Sequence, residues 1–366
     1  MSEPSPFIWF GGKRRVARLV WDALGDVDHY VEPFLGSAAV LLARPEHHRG
    51  RTETVNDADK FLANFWRALA ADPEAVARWA DWPVNECDLF ARHLWLVNEG
   101  RAALAGGLER DPDWCDAKVA GWWVWGLNAW IGGGWCSGDG PWTRDDDLED
   151  AGRGVSRQRP HLRDAGRGVS RKLPHLGDAG RGVSRQLPHL GDAGRGVNRK
   201  LPHLGGAGRG DGGVLPVPHD LIAYFRRLAA RLRRVRVCCG DWSRVVTDGA
   251  LACGATVGVF LDPPYLLSVR SPGVYATDDG LVSHTVREWA LAHGEDPRLR
   301  IVLAGYETEH GGAMERAGWR VRAYTASAAY QRASTARGSG GNQANRRLER
   351  LWFSPACSVV QQGSFF

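Results

Sequence analysis

Seven short apolar, β-rich runs alternate with amphipathic stretches along this chain, and this alternation constrains the fold more than any other feature. Such a pattern is typical of an α/β protein in which helices cover both faces of a mostly parallel sheet. We therefore expect a doubly wound α/β fold with a seven-stranded sheet. The predicted strands are residues 29–34, 52–56, 235–239, 256–261, 299–305, 319–324 and 348–353.

Four amphipathic segments are predicted to form the helices that cover this sheet. They are residues 13–24, 59–70, 220–234 and 283–293. In the third segment, apolar side chains recur at helical spacing from Leu221 to Leu232, and Asp220 is placed to cap the helix.

The strand pattern lapses between residues 72 and 142, where helix formers and glycines surround many tryptophans. We interpret residues 71–149 as a smaller, mostly helical second domain. Its tryptophans are expected to form a core rather than a platform on which bases stack, because buried aromatic side chains dominate small cores. They include Trp79, Trp82, Trp95, Trp114, Trp122, Trp123, Trp125, Trp130 and Trp135.

An internal repeat with a period of fourteen residues follows this region. Its copies begin at Asp150, Asp164, Asp178 and Asp192 and read close to DAGRGVSRKLPHLG. Gly-x-Gly and Pro-His in each copy prevent a continuous helix, so residues 150–213 are predicted to form a flexible or turn-rich insert. Residues 150–210 hold thirteen Arg or Lys against four Asp, so a basic insert interrupts a mildly acidic body. We favour a solvated spacer, and the alternative is a basic arm that lies along phosphates.

Several function classes are disfavoured by composition. No run approaches the roughly 18–20 apolar residues of a membrane span, and the N-terminus lacks the pattern of a secretion signal, so a cytoplasmic protein is expected. The seven cysteines lack a C-x-x-C spacing and are interpreted as reduced and structural. The histidines of the repeats make a poor ligand set, so no metal site is expected.

The most informative motif is a buried apolar run that ends in Asp262, Pro263, Pro264 and Tyr265. In open parallel sheets, ligands bind at the carboxyl ends of the strands. The two prolines lack N–H donors and stiffen the chain, which leaves a carboxylate and carbonyls as acceptors. Such a corner suits a flat group that bears an NH2 and stacks on the tyrosine, although an ordinary turn is the simpler alternative.

Two further strand ends carry candidate binding residues. The first predicted strand leads into a turn of small residues with a single glycine, which serves a dinucleotide pyrophosphate poorly and favours another nucleoside-bearing cofactor. This turn contains Glu32, Pro33, Phe34, Gly36 and Ser37. The second strand ends at Asp57, where doubly wound sheets bind ribose hydroxyls, and a helix-capping role is the alternative.

Together with Trp9 and the Gly-Gly-Lys that ends at Lys13, these segments resemble the Dam-type DNA adenine methyltransferases in their order along the chain. The resemblance covers residues 7–66 and 235–306, with a weaker echo at 345–355. It implies a Rossmann-like methyltransferase sheet, S-adenosylmethionine as cofactor, no metal, and target recognition between residues 60 and 216.

The resemblance also implies roles for individual residues. Trp9 and Lys13 match the first cofactor-contacting segment, and the turn from Glu32 to Ser37 matches the methionine side of the cofactor site. Asp57 matches the ribose-binding acid, and the segment from Asp262 to Tyr265 matches the catalytic tetrapeptide, with Asp262 also near the cofactor. Asp241 is implied as a contact to the cofactor's adenine.

The expected function is therefore methylation of the adenine N6 amine in double-stranded DNA by base flipping. Residues 1–70 and 217–366 would form the catalytic domain, residues 71–149 the recognition domain, and the protein would act as a monomer. Alternatives within the same chemistry are methylation of cytosine N4 or of adenine in RNA. From other classes, an oxidoreductase is disfavoured because the turn after the first predicted strand lacks G-x-G-x-x-G, and a non-catalytic DNA-binding protein rests on the basic insert alone.

Overall fold

A seven-stranded mixed sheet forms the centre of the protein in a computed structural model. The structure describes residues 3–7, 9, 13–48, 51–108, 110–111, 113–130, 135–136, 220–264, 281–324 and 349–358. The predicted insert and Tyr265 therefore lie outside the described residues. The strands are β1 His29–Glu32, β2 Thr52–Asp57, β3 Val235–Cys239, β4 Val257–Leu261, β5 Leu299–Tyr306, β6 Arg320–Ala323 and β7 Glu349–Phe353.

The strands are ordered β3-β2-β1-β4-β5-β7-β6. The first five of these run parallel, and β7 lies antiparallel between β5 and β6. The strand order reverses between β1 and β4, which places the topological switch point, where ligands bind in such sheets, between these two strands. The mixed α/β architecture and the seven strands are as predicted from the sequence.

Two hydrophobic cores lie on opposite faces of the sheet, because neighbouring residues of a strand point to opposite sides. Phe260 of β4 packs in one core, and its neighbours Val259 and Leu261 pack in the other. All five residues of β4 are buried, as expected of a central parallel strand.

Helices cover both faces and connect the strands. A π-helical segment, Leu96–Gly100, links α5 to α6, and 3₁₀ helices occupy Glu46–His48 and Trp242–Val245. The α-helices are α1 Ala17–Leu24, α2 Ala39–Leu42, α3 Lys60–Ala71, α4 Pro73–Ala80, α5 Glu86–Trp95, α6 Arg101–Leu108, α7 Ala117–Ala129, α8 Leu221–Leu232, α9 Asp248–Leu251, α10 Val282–His293, α11 Glu307–His310 and α12 Ala313–Arg316.

In two of the four predicted helices, the first predicted residue is the one that caps the helix in the structure. The Asp59 side chain accepts hydrogen bonds from the first turn of α3, and that of Asp220 accepts one from the Ala223 N–H in α8. The first helix differs, because it begins at Ala17 rather than at Lys13. Residues 14–16 form a turn instead, in which the Val16 N–H donates to the Lys13 carbonyl at 3.1 Å.

The region after α3 is helical wherever it is described, from α4 to α7. Helix α7 packs on α3 and α4, and its buried Trp123 and Trp125 share one core with the sheet. Trp79 and Trp82 differ from the expected core role, since they are 41% and 46% exposed. The assignment of this region as a separate recognition domain stays a prediction.

The described residues contain neither a membrane-spanning helix nor a cluster of potential metal ligands. None of their helices is long and apolar enough to cross a membrane. Their His, Cys, Asp and Glu side chains contain no group of three or more arranged to hold a metal ion. All seven cysteines lie within the described residues, and each has a free thiol.

Candidate functional site

The predicted site residues converge at the carboxyl edge of the four neighbouring strands β3, β2, β1 and β4. Each of these strands ends in a turn that carries at least one of them. The first strand contributes the turn from Glu32 to Ser37, the second Asp57, the third Asp241 and the fourth Asp262. Lys13 and Trp9 join them from the segment before α1.

The corner after β4 is held by a short ion pair. The Lys13 Nζ lies 2.8 Å from the Asp262 Oδ1. The Lys13 side chain is 4% exposed and that of Asp262 20% exposed, while Pro263 is buried. The acid at the tip of the central strand is therefore fixed in orientation but remains open on one side.

Burial and charge act against each other in this ion pair. Burial disfavours the Lys13 ammonium, but the neighbouring Asp262 carboxylate, together with Tyr324 and Glu349, more than offsets this and raises the pKa of Lys13 above its usual range. For the acid, burial outweighs the attraction of Lys13, so the pKa of Asp262 is raised. The lysine thus stays charged and anchors the carboxylate.

Three carboxyl groups lie on the same face of the sheet. Glu32 pairs in register with Val55, and Asp57 follows Val55 by two residues, so both side chains project to one side. Val31 pairs with Val259, so by the same alternation Asp262 also projects to that side. This face therefore brings three carboxyl groups together, and Lys13 pairs with one of them, Asp262.

Glu32 is the most enclosed of the three acids, being 2% exposed. Burial raises the pKa of Glu32 well above its usual value, and the nearby Asp262 and Asp57 charges add to this effect. The Tyr30 hydroxyl partly opposes it by donating to the Glu32 Oε2 at 2.9 Å. Glu32 is therefore a buried acid at the carboxyl end of β1 that accepts a hydrogen bond from the Tyr30 hydroxyl.

Gly36, in the turn after β1, makes close contacts with three side chains, those of Asp57, Trp66 and Trp9. Its N–H donates to the Asp57 Oδ2 at 3.0 Å, and its carbonyl accepts from the Trp66 Nε1 at 3.2 Å. Its φ is +48°, and a Cβ there would lie 2.6 Å from the Trp9 Cδ1. The glycine is required both for this left-handed backbone and for the close approach of the Trp9 ring.

Asp57 combines structural contacts with a perturbed acidity. Besides Gly36, its carboxylate accepts a hydrogen bond from the Asp59 N–H at 3.0 Å. Burial raises the pKa of Asp57 to about 7, although three backbone N–H donors, those of Asp59, Gly36 and Ala58, oppose this shift. Helix capping at this point is performed by Asp59 rather than by Asp57.

Asp241 and its neighbour Trp242 lie after β3 at the same edge. The exposed Asp241 carboxylate accepts from the Ser243 N–H at 2.9 Å and caps the 3₁₀ helix, so it is engaged locally. The partly exposed Trp242 ring stacks on Phe34, with centroids 6.1 Å apart and planes at 28°. Sequence reasoning did not single out Trp242, although its position directly after Asp241 is a usable signal.

Two further residues shape the site. Trp66 of α3 is buried and holds the Gly36 carbonyl, as described above. Asn56 precedes Asp57 in β2 and bonds to backbone carbonyls in two turns. Both depend on contacts between residues far apart in the chain.

Comparison with known families gives a match to this chain. Residues 9–82 match the model of the family described as D12 class N6 adenine-specific DNA methyltransferase. The match confirms the predicted resemblance to the Dam-type methyltransferases over this segment. It includes the predicted site residues from Trp9 to Asp57 and ends before Asp241 and Asp262. A comparison with curated proteins found no match.

Proposed function

Because residues 9–82 match the model of the D12 class N6 adenine-specific DNA methyltransferases, we propose that the protein transfers a methyl group from S-adenosylmethionine to the N6 amine of adenine. The substrate is double-stranded DNA, from which the target base is flipped into the site. The observation that carries this proposal is Asp262, which lies at the carboxyl end of the central strand β4 and is fixed there by Lys13.

The residues at the strand ends fit S-adenosylmethionine on grounds of charge. Glu32, Asp57 and Asp262 share one face of the sheet, and Lys13 pairs with Asp262 there. A ligand with a positive sulfonium complements such a face. The turn after β1 has a single glycine, Gly36, in place of G-x-G-x-x-G, which makes a dinucleotide the poorer fit.

The aromatic pair Phe34 and Trp242 supplies a complementary surface for the nucleoside end of the cofactor. Asp57, at the end of the neighbouring strand, is assigned to the ribose hydroxyls. S-adenosylmethionine, when bound, supplies the activated methyl group, and the chain's own residues orient the acceptor.

Asp262 and the carbonyl of Pro263 are assigned to the two hydrogens of the target amine. Because Lys13 pairs with Oδ1, we assign the amine to Oδ2. The nitrogen gains positive charge during methyl transfer, and a fixed carboxylate beside it stabilises this charge. Base flipping costs a few kcal/mol of stacking, which contacts to the amine and to the predicted stacking partner Tyr265 offset.

Cofactor affinity is expected to fall as the pH is lowered through about 7, the pKa of Asp57. Above this pH the carboxylate is ionised and attracts a cationic ligand that donates hydroxyl hydrogens, and below it the acid is neutral. The Kd for S-adenosylmethionine should rise by up to about tenfold per pH unit below the pKa. Isothermal titration calorimetry between pH 5.5 and 8.5 measures this dependence.

Asp57→Asn is the matched variant for this measurement, because it keeps the shape but not the titrating group. Its Kd should be higher at pH 8 and should change much less with pH. A wild-type Kd that stays constant from pH 8.5 to 5.5 would show that Asp57 does not contact the cofactor in its ionised form.

Transfer of labelled methyl groups tests the proposed class of function. The full chain is incubated with methyl-labelled S-adenosylmethionine and duplex DNA, RNA or no nucleic acid. We expect label in duplex DNA alone. Label in RNA would change the substrate, and DNA binding without any transfer would favour a non-catalytic DNA-binding protein.

A further inference from the structure

The side chain of Asn56 joins two turns of the candidate site. Asn56 is 1% exposed and lies one residue before the end of β2. Its Nδ2 donates to the Pro33 carbonyl at 3.1 Å and to the Gly240 carbonyl at 3.0 Å. These carbonyls belong to the turns after β1 and β3, the two strands that flank β2.

The backbone of β2 reinforces the same connection. The Leu35 N–H donates to the Asn56 carbonyl at 2.9 Å, and the Gly240 N–H donates to the Asp57 carbonyl at 3.1 Å. The end of β2 thus holds one turn on each side, and a single amide nitrogen bonds to both.

Each of these turns carries one ring of the stacked aromatic pair. Pro33 directly precedes Phe34, and Gly240 lies two residues before Trp242. The two partly exposed rings are 6.1 Å apart between centroids. The distance between the rings is therefore set by the distance between the two turns, which Asn56 fixes.

The chemistry of the side chain suits this task. A primary amide offers two hydrogens on one uncharged nitrogen, so it satisfies two carbonyls at once. A carboxylate of the same shape would place an oxygen where the amide nitrogen lies. That oxygen and the two carbonyl oxygens are all acceptors, so none of them would have a donor there.

We propose that Asn56 is a positioning residue that sets the spacing of Phe34 and Trp242 and thereby the affinity for the nucleoside end of the cofactor. This inference rests on the proposed function, since it assumes an adenosine-bearing ligand at this edge. Asn56 affects the affinity for the cofactor through the positions of these two rings.

Adenosine is the probe that isolates this effect, because it lacks the methionine part of the cofactor. In Asn56→Asp, we expect the Kd values for adenosine and for S-adenosylmethionine to rise by similar factors of about tenfold or more. The effect should fall on the KM for S-adenosylmethionine more than on kcat at saturating cofactor. Calorimetry and methylation kinetics on the full chain measure these quantities.

Asn64→Asp is the matched control for a loss of stability alone. Asn64 is 0% exposed, and its side chain also bonds to backbone groups, namely the carbonyl and N–H of Asp116. Both variants should unfold at lower temperature, but only Asn56→Asp should raise the Kd for adenosine. Equal Kd values in Asn56→Asp and the wild type would overturn the inference.

A milder variant keeps the inference testable if Asn56→Asp does not fold. Asn56→Ser retains one hydroxyl donor, and we combine it with Trp242→Leu in a double-mutant cycle. If Asn56 acts through Trp242, the two effects on adenosine affinity are non-additive. Additive effects would contradict it. If the wild type binds neither adenosine nor S-adenosylmethionine, the proposed function fails and the inference fails with it.

Discussion

Replacing Asp262 by asparagine is expected to lower the methyl-transfer rate at saturating cofactor and DNA by about 10³-fold. The amide keeps the shape of the side chain, but it carries no charge to stabilise the developing positive nitrogen. It also removes the charge that pairs with the buried Lys13 ammonium. Single-turnover kinetics with labelled cofactor separate this loss from changes in DNA or cofactor binding.

Asp296→Asn is the matched control. Asp296 pairs with Arg298 just before the amino end of β5, away from the carboxyl ends of the strands that carry the site. This variant should methylate at the wild-type rate. Thermal unfolding and cofactor binding of Asp262→Asn establish whether the protein remains folded. A folded Asp262→Asn variant that turns over within about threefold of the wild type would refute the catalytic assignment.

Replacing Gly36 by alanine is expected to weaken S-adenosylmethionine binding by at least about tenfold, or about 1.4 kcal/mol. The new Cβ would lie 2.6 Å from the Trp9 Cδ1, so the ring or the turn must move. Movement of the turn also disturbs the bond from the Gly36 N–H to Asp57. Calorimetric titration with the cofactor measures the change.

Gly318→Ala separates backbone strain from the steric effect. Gly318 has a φ of +79°, but a Cβ there meets no atom of the described residues within 4 Å. Alanine at either position pays about 1–2 kcal/mol for the left-handed backbone. Both variants should be less stable, while Gly318→Ala should bind cofactor normally. Equal cofactor affinity in Gly36→Ala and Gly318→Ala would contradict the proposed role of this turn.

Local sequence pattern was sufficient to place the strands. The strand at 235–239 occupies the predicted residues, and the central strand begins at Val257, one residue after the predicted start. Buried parallel strands are nearly continuous apolar runs, so composition alone marks them. The strand ends also predicted where the acids would gather, because parallel strands expose their carboxyl ends on one edge.

Contacts between distant parts of the chain account for what the sequence did not reveal. Helix α1 begins at Ala17 because the preceding residues form a turn that brings Lys13 to Asp262. Nothing in the local pattern identifies that partner. The same holds for Trp66, which belongs to an ordinary amphipathic helix until its Nε1 is seen to bond to Gly36.

The tryptophans show a second limit of sequence reasoning. Trp79 and Trp82 are exposed, whereas Trp123 and Trp125 are buried, although all four lie in the same tryptophan-rich, helical region. Their burial is decided by how α4 and α7 pack on each other and on α3. Helical spacing defines a face but not the element that covers it.

The most direct test of the central claim is the chemical identity of the methylated base in DNA treated with this protein. After digestion to nucleosides, mass spectrometry of the wild-type reaction should show N6-methyldeoxyadenosine, and the Asp262→Asn reaction should show almost none. Methylation found on the cytosine amine, or equal N6-methyladenine from both proteins, would contradict the account.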